Sequence, residues 1–376
     1  MKPPAVRHQP DEKIARWKFG FLPQLDGFRG ISVFLVLIGH AFADGVGPLS
    51  KLGVMMFFVL SGFLITGLLC NEQISTGGIS LRNFYLRRAL RIFPAFFVLI
   101  LGTAILIKSG YITDVPWYSL VVACLYLSNI FGRGDSITHL WSLSLEEQFY
   151  AGWPLVVRSF GLRRAFMIAC SSILAVMAVR LVVIQLGIVN YFNGKIYLRP
   201  WFRFDSILIG CCIALFLYDR QPSRQSVARW CRWAAPLVVM PALLLWSQFS
   251  ERVPALRPVH LTVQLLLAAT LLLYIVVFPN SMTARAMTLR PLRFLGRISY
   301  SLYLWQQMFL MTHDPSWGLI REFPWNILAA LGAGIASHYV VERPFLKLKH
   351  RLSAANSAPS KSLRIAIAAP ETVDAT

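Results

Sequence analysis

The stretch LDGFRGISVFLVLIGH, residues 25–40, sets Asp26, Arg29 and His40 among apolar residues. On a helix of 3.6 residues per turn the three fall within an arc of about 60°, and Arg29 and His40 stand about 16 Å apart along the axis. Two readings are open. Arg29 is an end anchor that snorkels, with Asp26 one turn back as its partner and His40 at the far interface. Alternatively the stripe is functional, because ionisable groups inside a membrane are costly and mark sites of chemistry.

Four further clusters carry chemistry-bearing side chains. FYLRRALRIFP, residues 84–94, crowds Arg87, Arg88 and Arg91 at the start of an apolar block. They serve orientation, or they bind phosphate, which guanidinium groups grip with paired hydrogen bonds. THLWSLSLEEQFY, residues 138–150, gathers Thr138, His139, Trp141, Ser142, Ser144, Glu146, Glu147 and Tyr150. Ser142 or Ser144 fits an N-cap with a glutamate at or near the capping-box spacing, a role compatible with a site. LRPWFRFDSILIG, residues 198–210, holds Arg199, Arg203 and Asp205, where a local ion pair is the simplest reading. Arg180 either joins that group or snorkels. In VERPF, Glu342 and Arg343 read as a structural pair, with His338 just before them.

The elements that position these residues are membrane helices. The 376-residue chain is 56% apolar and 14% charged, with a mean hydropathy of +0.57, and its apolar residues come in long uncharged blocks. Eleven blocks stand out, at 25–43, 52–70, 92–110, 116–131, 146–157, 165–187, 202–218, 234–249, 258–279, 298–312 and 325–342. No alternating ten-residue strands occur, so the spans are helical. The net charge of +20 sits mostly in short loops between blocks, the positive-inside pattern. No basic folded surface points to nucleic acid.

With every basic cluster in the cytoplasm, the chain is an all-α integral membrane protein of about ten transmembrane helices, both termini cytoplasmic. One of the two short blocks, 116–131 or 146–157, cannot cross fully. Residues 1–20 read as a polar cytoplasmic tail without signal-peptide order. Residues 21–348 form the membrane domain, and 349–376 a basic, then disordered, cytoplasmic tail. The six cysteines form no C-x-x-C pair, so neither a disulfide framework nor a metal site is expected.

Taken in order, the motifs resemble the acyltransferase-3 family of polytopic membrane O-acyltransferases. The resemblance runs from about residue 21 to 348. It rests on the Arg-x10-His pattern of Arg29 and His40, on GVMMFFVLSGFLIT around Ser61 and Gly62, and on RRALRIFP with Arg88 and Arg91. HLWSLSLEEQFY, RFDSILIG, LGRISYSLYLW and ERPF complete it. One departure stands out: after YSLYLW, where the family often has His, this chain has Gln306.

The resemblance implies transfer of an acyl group, usually acetyl, from acetyl-CoA or another acyl-CoA to a hydroxyl of a cell-surface or exported carbohydrate. In some members the acceptor is a macrolide. The protein would be multi-pass in the inner (cytoplasmic) membrane, contacting lipid and needing no metal. The chain ends too soon for a C-terminal SGNH esterase-like domain, so the stand-alone type is expected. His40 would be the general base, with Arg29 and Glu146 beside it. Arg87, Arg88 and Arg91 would hold CoA phosphates. Arg203, Asp205, Trp141 and Ser142 would line the acceptor side, and Asp26, Ser61, Glu147, Glu342 and Arg343 would support the site. A transporter or flippase is the competing class, since many spans with midplane charges fit that too.

Overall fold

A computed structural model of the chain describes residues 22–42, 46–187, 198–220, 222–231, 236–249, 259–311 and 315–348. The two tails expected at 1–20 and 349–376 lie outside the described residues. Within them every element is helical and no strand occurs. The principal helices are α1 (Pro23–Ala41), α2 (Pro48–Thr76), α3 (Leu81–Lys108), α4 (Trp117–Cys124), α5 (Leu140–Gln185), α6 (Phe204–Asp219), α7 (Pro236–Phe249), α8 (His260–Val277), α9 (Arg290–Leu310) and α10 (Trp325–Ser337).

Helix ends follow local chemistry. Pro23 and Pro48 open α1 and α2, where a missing N–H costs nothing. The Ser80 hydroxyl caps α3 by accepting the Asn83 N–H. α5 is two helices joined at Gly161, whose φ of 74° and ψ of 169° are non-helical and suit glycine. The break falls inside the basic run Arg158, Arg163 and Arg164, all exposed.

That break and the interruption of block 116–131 set the lengths of the two short blocks. Block 146–157 belongs to the helical run from Leu140 to Gly161, about 30 Å long and enough to cross. Block 116–131 is split into α4, of 8 residues, and a turn at Ser128–Phe131, with Tyr126 at φ 53° between them. Neither piece is long enough to span. Among the described residues, four helices, α2, α3, α5 and α8, are long and apolar enough to cross a membrane by length and composition.

The bundle is apolar outside and polar in places within. On α3, Phe97, Leu101 and Ile105 are exposed in one stripe, four residues apart on a single helix face. On α5, Met167, Leu174 and Val182 are exposed too. Meanwhile Arg180, Arg203, Asp205, His139 and Glu342 are buried. A soluble protein rarely leaves so much apolar surface open, whereas lipid favours it.

Glycines let the inner helices touch backbone to backbone, as small residues do in membrane bundles. A Cβ on Gly296 of α9 would collide with the Asp26 carbonyl of α1, and one on Gly62 of α2 with the Ile207 carbonyl of α6. These contacts lock α1 against α9 and α2 against α6. Gly296→Val is therefore expected to cost about 1–3 kcal/mol, seen as a lower unfolding temperature in detergent. Gly152→Ala, with nothing within 4 Å of a new Cβ, leaves that temperature unchanged or slightly raised.

Candidate active site

A cavity of about 100 Å³ lies between α1, α2, α3, α5 and α9. Each helix contributes residues at helical spacing: Arg29 from α1, Phe57, Phe58 and Ser61 from α2, Arg88 and Arg91 from α3, Ser142, Glu146 and Tyr150 from α5, and Ser299, Tyr300 and Tyr303 from α9. Three guanidinium groups against one carboxylate make its lining cationic. Such a lining suits an anion, and it exists because the cations face inward rather than toward lipid.

Local geometry sorts the three arginines of α3. Arg88 and Arg91, three residues apart, share a face and both line the cavity. Arg88 lies over the Tyr150 ring at 3.9 Å and 3.7 Å from Glu147. Arg87 lies about 100° round the helix and pairs instead with Glu72 at 2.9 Å. Its expected place beside the other two is therefore not what the structure holds.

Glu146 accepts a hydrogen bond from the Ser61 hydroxyl at 2.7 Å, which ties α5 to α2 at the cavity wall. Ser142 and Ser144 do not cap α5, which begins at Leu140 without a side-chain cap. The Ser142 hydroxyl lies 2.5 Å from that of Tyr303, and the Tyr303 hydroxyl also donates to the His139 carbonyl at 3.2 Å. Tyr303 thereby stands between the cavity and His139, whose ring meets it edge-on at 5.4 Å. Asp26 forms no ion pair with Arg29 among the described residues, although its charge acts on the guanidinium.

His40 is not among the cavity residues. Its Nδ1 lies 2.9 Å from Oε1 of Gln306 on α9. Glu146 is bonded elsewhere, so it does not orient this ring. His139, a buried imidazole near His40, shares that region.

The group at 198–210 forms a separate buried centre. Asp205 pairs with Arg180 at 2.8 Å rather than with Arg203. Arg180 also donates to the Phe202 carbonyl at 3.1 Å and to Thr262 at 3.0 Å, so it joins this group and does not snorkel. Arg203 packs against the Phe58 and Trp141 rings at 5.7 and 6.0 Å, and those rings meet edge-on at 5.8 Å. This places Trp141 and Arg203 behind the cavity wall formed by Phe58.

The pair expected between Glu342 and Arg343 does not form, since neighbours on a helix point apart. A turn of π-helix at His338–Glu342 turns Glu342 inward, where it accepts from Ser301 at 2.8 Å and lies 2.9 Å from His338 Nδ1. Arg343 is exposed beside Tyr339. Tyr300, Tyr303 and Gln307 are residues to which sequence reasoning gave no place, while Tyr150 and Gln306 were named without a role. The stretch YSLYLWQQ, polar on a span, was the signal for the first three.

The family whose description is "Acyltransferase domain" matches residues 22–343. The O-acetyltransferase OatA of Staphylococcus aureus (strain NCTC 8325 / PS 47) is 30% identical over 311 residues, 76% of this chain and 50% of OatA. The protein named "Putative peptidoglycan O-acetyltransferase YrhL", from Bacillus subtilis (strain 168), is 26% identical over 359 residues, 86% of this chain and 55% of its own length. The chain spans about half the length of these curated relatives. No solved structure matches it.

Arg180→Ala leaves the Asp205 carboxylate buried without its cation and is expected to cost about 3–5 kcal/mol. Thermal unfolding of the detergent-solubilised protein measures this. Adding Asp205→Asn recovers part of the loss, because the stranded charge is gone.

Proposed function

The chain belongs to the acyltransferase-3 family, and on that premise we propose that it is an O-acyltransferase that moves an acyl group, most simply acetyl, from acyl-CoA to a hydroxyl of a cell-surface polysaccharide. The relatives are named for O-acetyl transfer, one of them on peptidoglycan, so a glycan of that kind is the acceptor class proposed. The observation that carries the reading is the cationic cavity of Arg29, Arg88 and Arg91 beside Glu146, on the same helix bundle that holds His40.

The positive-inside pattern supports ten crossings of the cytoplasmic membrane, with the Arg29 end of α1 and both termini on the cytoplasmic side. The exposed apolar stripes of α3 and α5 then meet lipid. Donor phosphates bind at Arg88 and Arg91, and the acyl-bearing arm runs past Tyr303 toward His40.

The transfer is a single displacement. His40 takes the proton from the acceptor hydroxyl as its oxygen attacks the thioester carbonyl. The C–O bond forms, the C–S bond breaks, and the thiolate leaves to be protonated as free CoA. Arg29 steadies negative charge in the cavity, and Glu146, fixed by Ser61, keeps its carboxylate beside the arginines. A thioester is already activated, so no metal enters the scheme.

The test uses acetyl-CoA and peptidoglycan fragments with purified protein, following free CoA and O-acetyl product. His40→Ala is expected to lower turnover by at least a hundredfold, in the range of a lost general base, while the protein still reaches the membrane. Arg88→Ala raises the KM for acetyl-CoA about tenfold or more, a loss typical of a charge-assisted phosphate contact. Arg87→Ala, which breaks only the pair with Glu72, changes it less than about twofold. Turnover near wild type in His40→Ala removes the catalytic assignment, and transport of glycan without any O-acetyl product removes the enzyme reading.

A further inference from the structure

Gln306 is fully buried at 0% exposure, and its Oε1 faces Nδ1 of His40 at 2.9 Å. The next residue, Gln307, accepts the backbone N–H of His139 at 2.9 Å and donates to the Asp135 carbonyl at 2.6 Å. Two consecutive amides of α9 therefore hold two histidine-bearing segments, α1 and the entry to α5. Gln307 satisfies both ends of its amide. Gln306 does not: its Nε2 is buried and has no hydrogen-bond partner among the described residues. A buried amide with one end unsatisfied costs stability, and an apolar side chain of the same length would avoid that cost. Its retention argues for a task performed by the oxygen.

An amide oxygen only accepts. The ring nitrogen facing it must therefore carry the proton, which leaves Nε2 with the lone pair. We propose that Gln306 is the positioning residue of His40: by accepting the Nδ1–H it fixes the ring's orientation and tautomer, so that Nε2 is the nitrogen that takes the acceptor's proton. This rests on the reading of His40 as the base. The position is the one where the family resemblance leads to an expected His, so this chain gives the task to an uncharged amide. His139, at the start of α5, is the buried titratable neighbour that shares this region with His40.

Two variants test the assignment, with acetyl-CoA and peptidoglycan fragments as substrates and protein matched for membrane level and detergent-extracted monodispersity. Gln306→Met keeps the length and removes the acceptor. It is expected to lower kcat about ten- to hundredfold, by analogy with the loss of the partners that orient metal-bound histidines, with the KM for acetyl-CoA within about twofold. Gln306→Glu keeps an acceptor at Nδ1 and adds charge. It is expected to retain kcat within about tenfold at its own optimum, with the acidic limb of the pH–rate profile moved to higher pH, because a facing carboxylate favours the imidazolium. Gln306→Met with kcat within twofold of wild type overturns the proposal. So does a Gln306→Glu protein as impaired as Gln306→Met at every pH, or one whose acidic limb stays in place. His40→Ala separates the two levels: if it is inactive while Gln306→Met is unaffected, only the positioning role falls, and if it is active, the base assignment beneath it falls.

Discussion

A charge inside a lipid-facing bundle must turn inward and find partners, and most of this structure follows from that constraint. Arg29, Arg88 and Arg91 line one cavity, where their charges face inward rather than toward hydrocarbon. Glu146 accompanies them, tied by Ser61. Arg180 and Asp205 satisfy the same requirement differently, as a closed pair with two further acceptors. The first group leaves space between its charges and the second leaves none. Open charge suits a ligand, and closed charge holds helices together.

That division was only half legible in the sequence. Residue type and spacing indicated the Arg29–His40 stripe, and the i, i+3 relation of Arg88 and Arg91 put both on one face. Arg87, grouped with them as a phosphate ligand, stands apart in the structure: it pairs with Glu72 at the end of α2, and no linear pattern connects the two. Asp205 was near Arg203 in sequence but bonds Arg180, 25 residues earlier, because two helices bring them together. Glu342 and Arg343 fail as a pair for the opposite reason: adjacency along a helix separates side chains. Long-range partners of this kind depend on packing that the glycine crossings determine, and a single sequence does not reveal which helices cross.

Element boundaries follow a similar line. The apolar blocks located nearly every helix, but a block is defined by what it lacks, and charge at 158–164 hid a helix that runs to Gly161 before breaking. Block 116–131 looked continuous, yet Tyr126 takes a left-handed conformation within it. The π-helical turn at His338–Glu342 lies inside the apolar block 325–342, which gives no sign of it, although it is what directs Glu342 toward Ser301.

The rigidity of α1 has one further meaning. An α-helix rises a fixed 1.5 Å per residue and hardly compresses, so the eleven positions from Arg29 to His40 define a ruler of about 16 Å. With α1 packed backbone to backbone on α9 at Gly30 and Gly296, and on the Met287 carbonyl just before α9 at Gly27, neither end of the ruler slides toward the other. On the function proposed above, the cavity that Arg29 shares with Arg88 and Arg91 and the His40 end of the helix are then two fixed points, and a donor that uses both must span the distance between them.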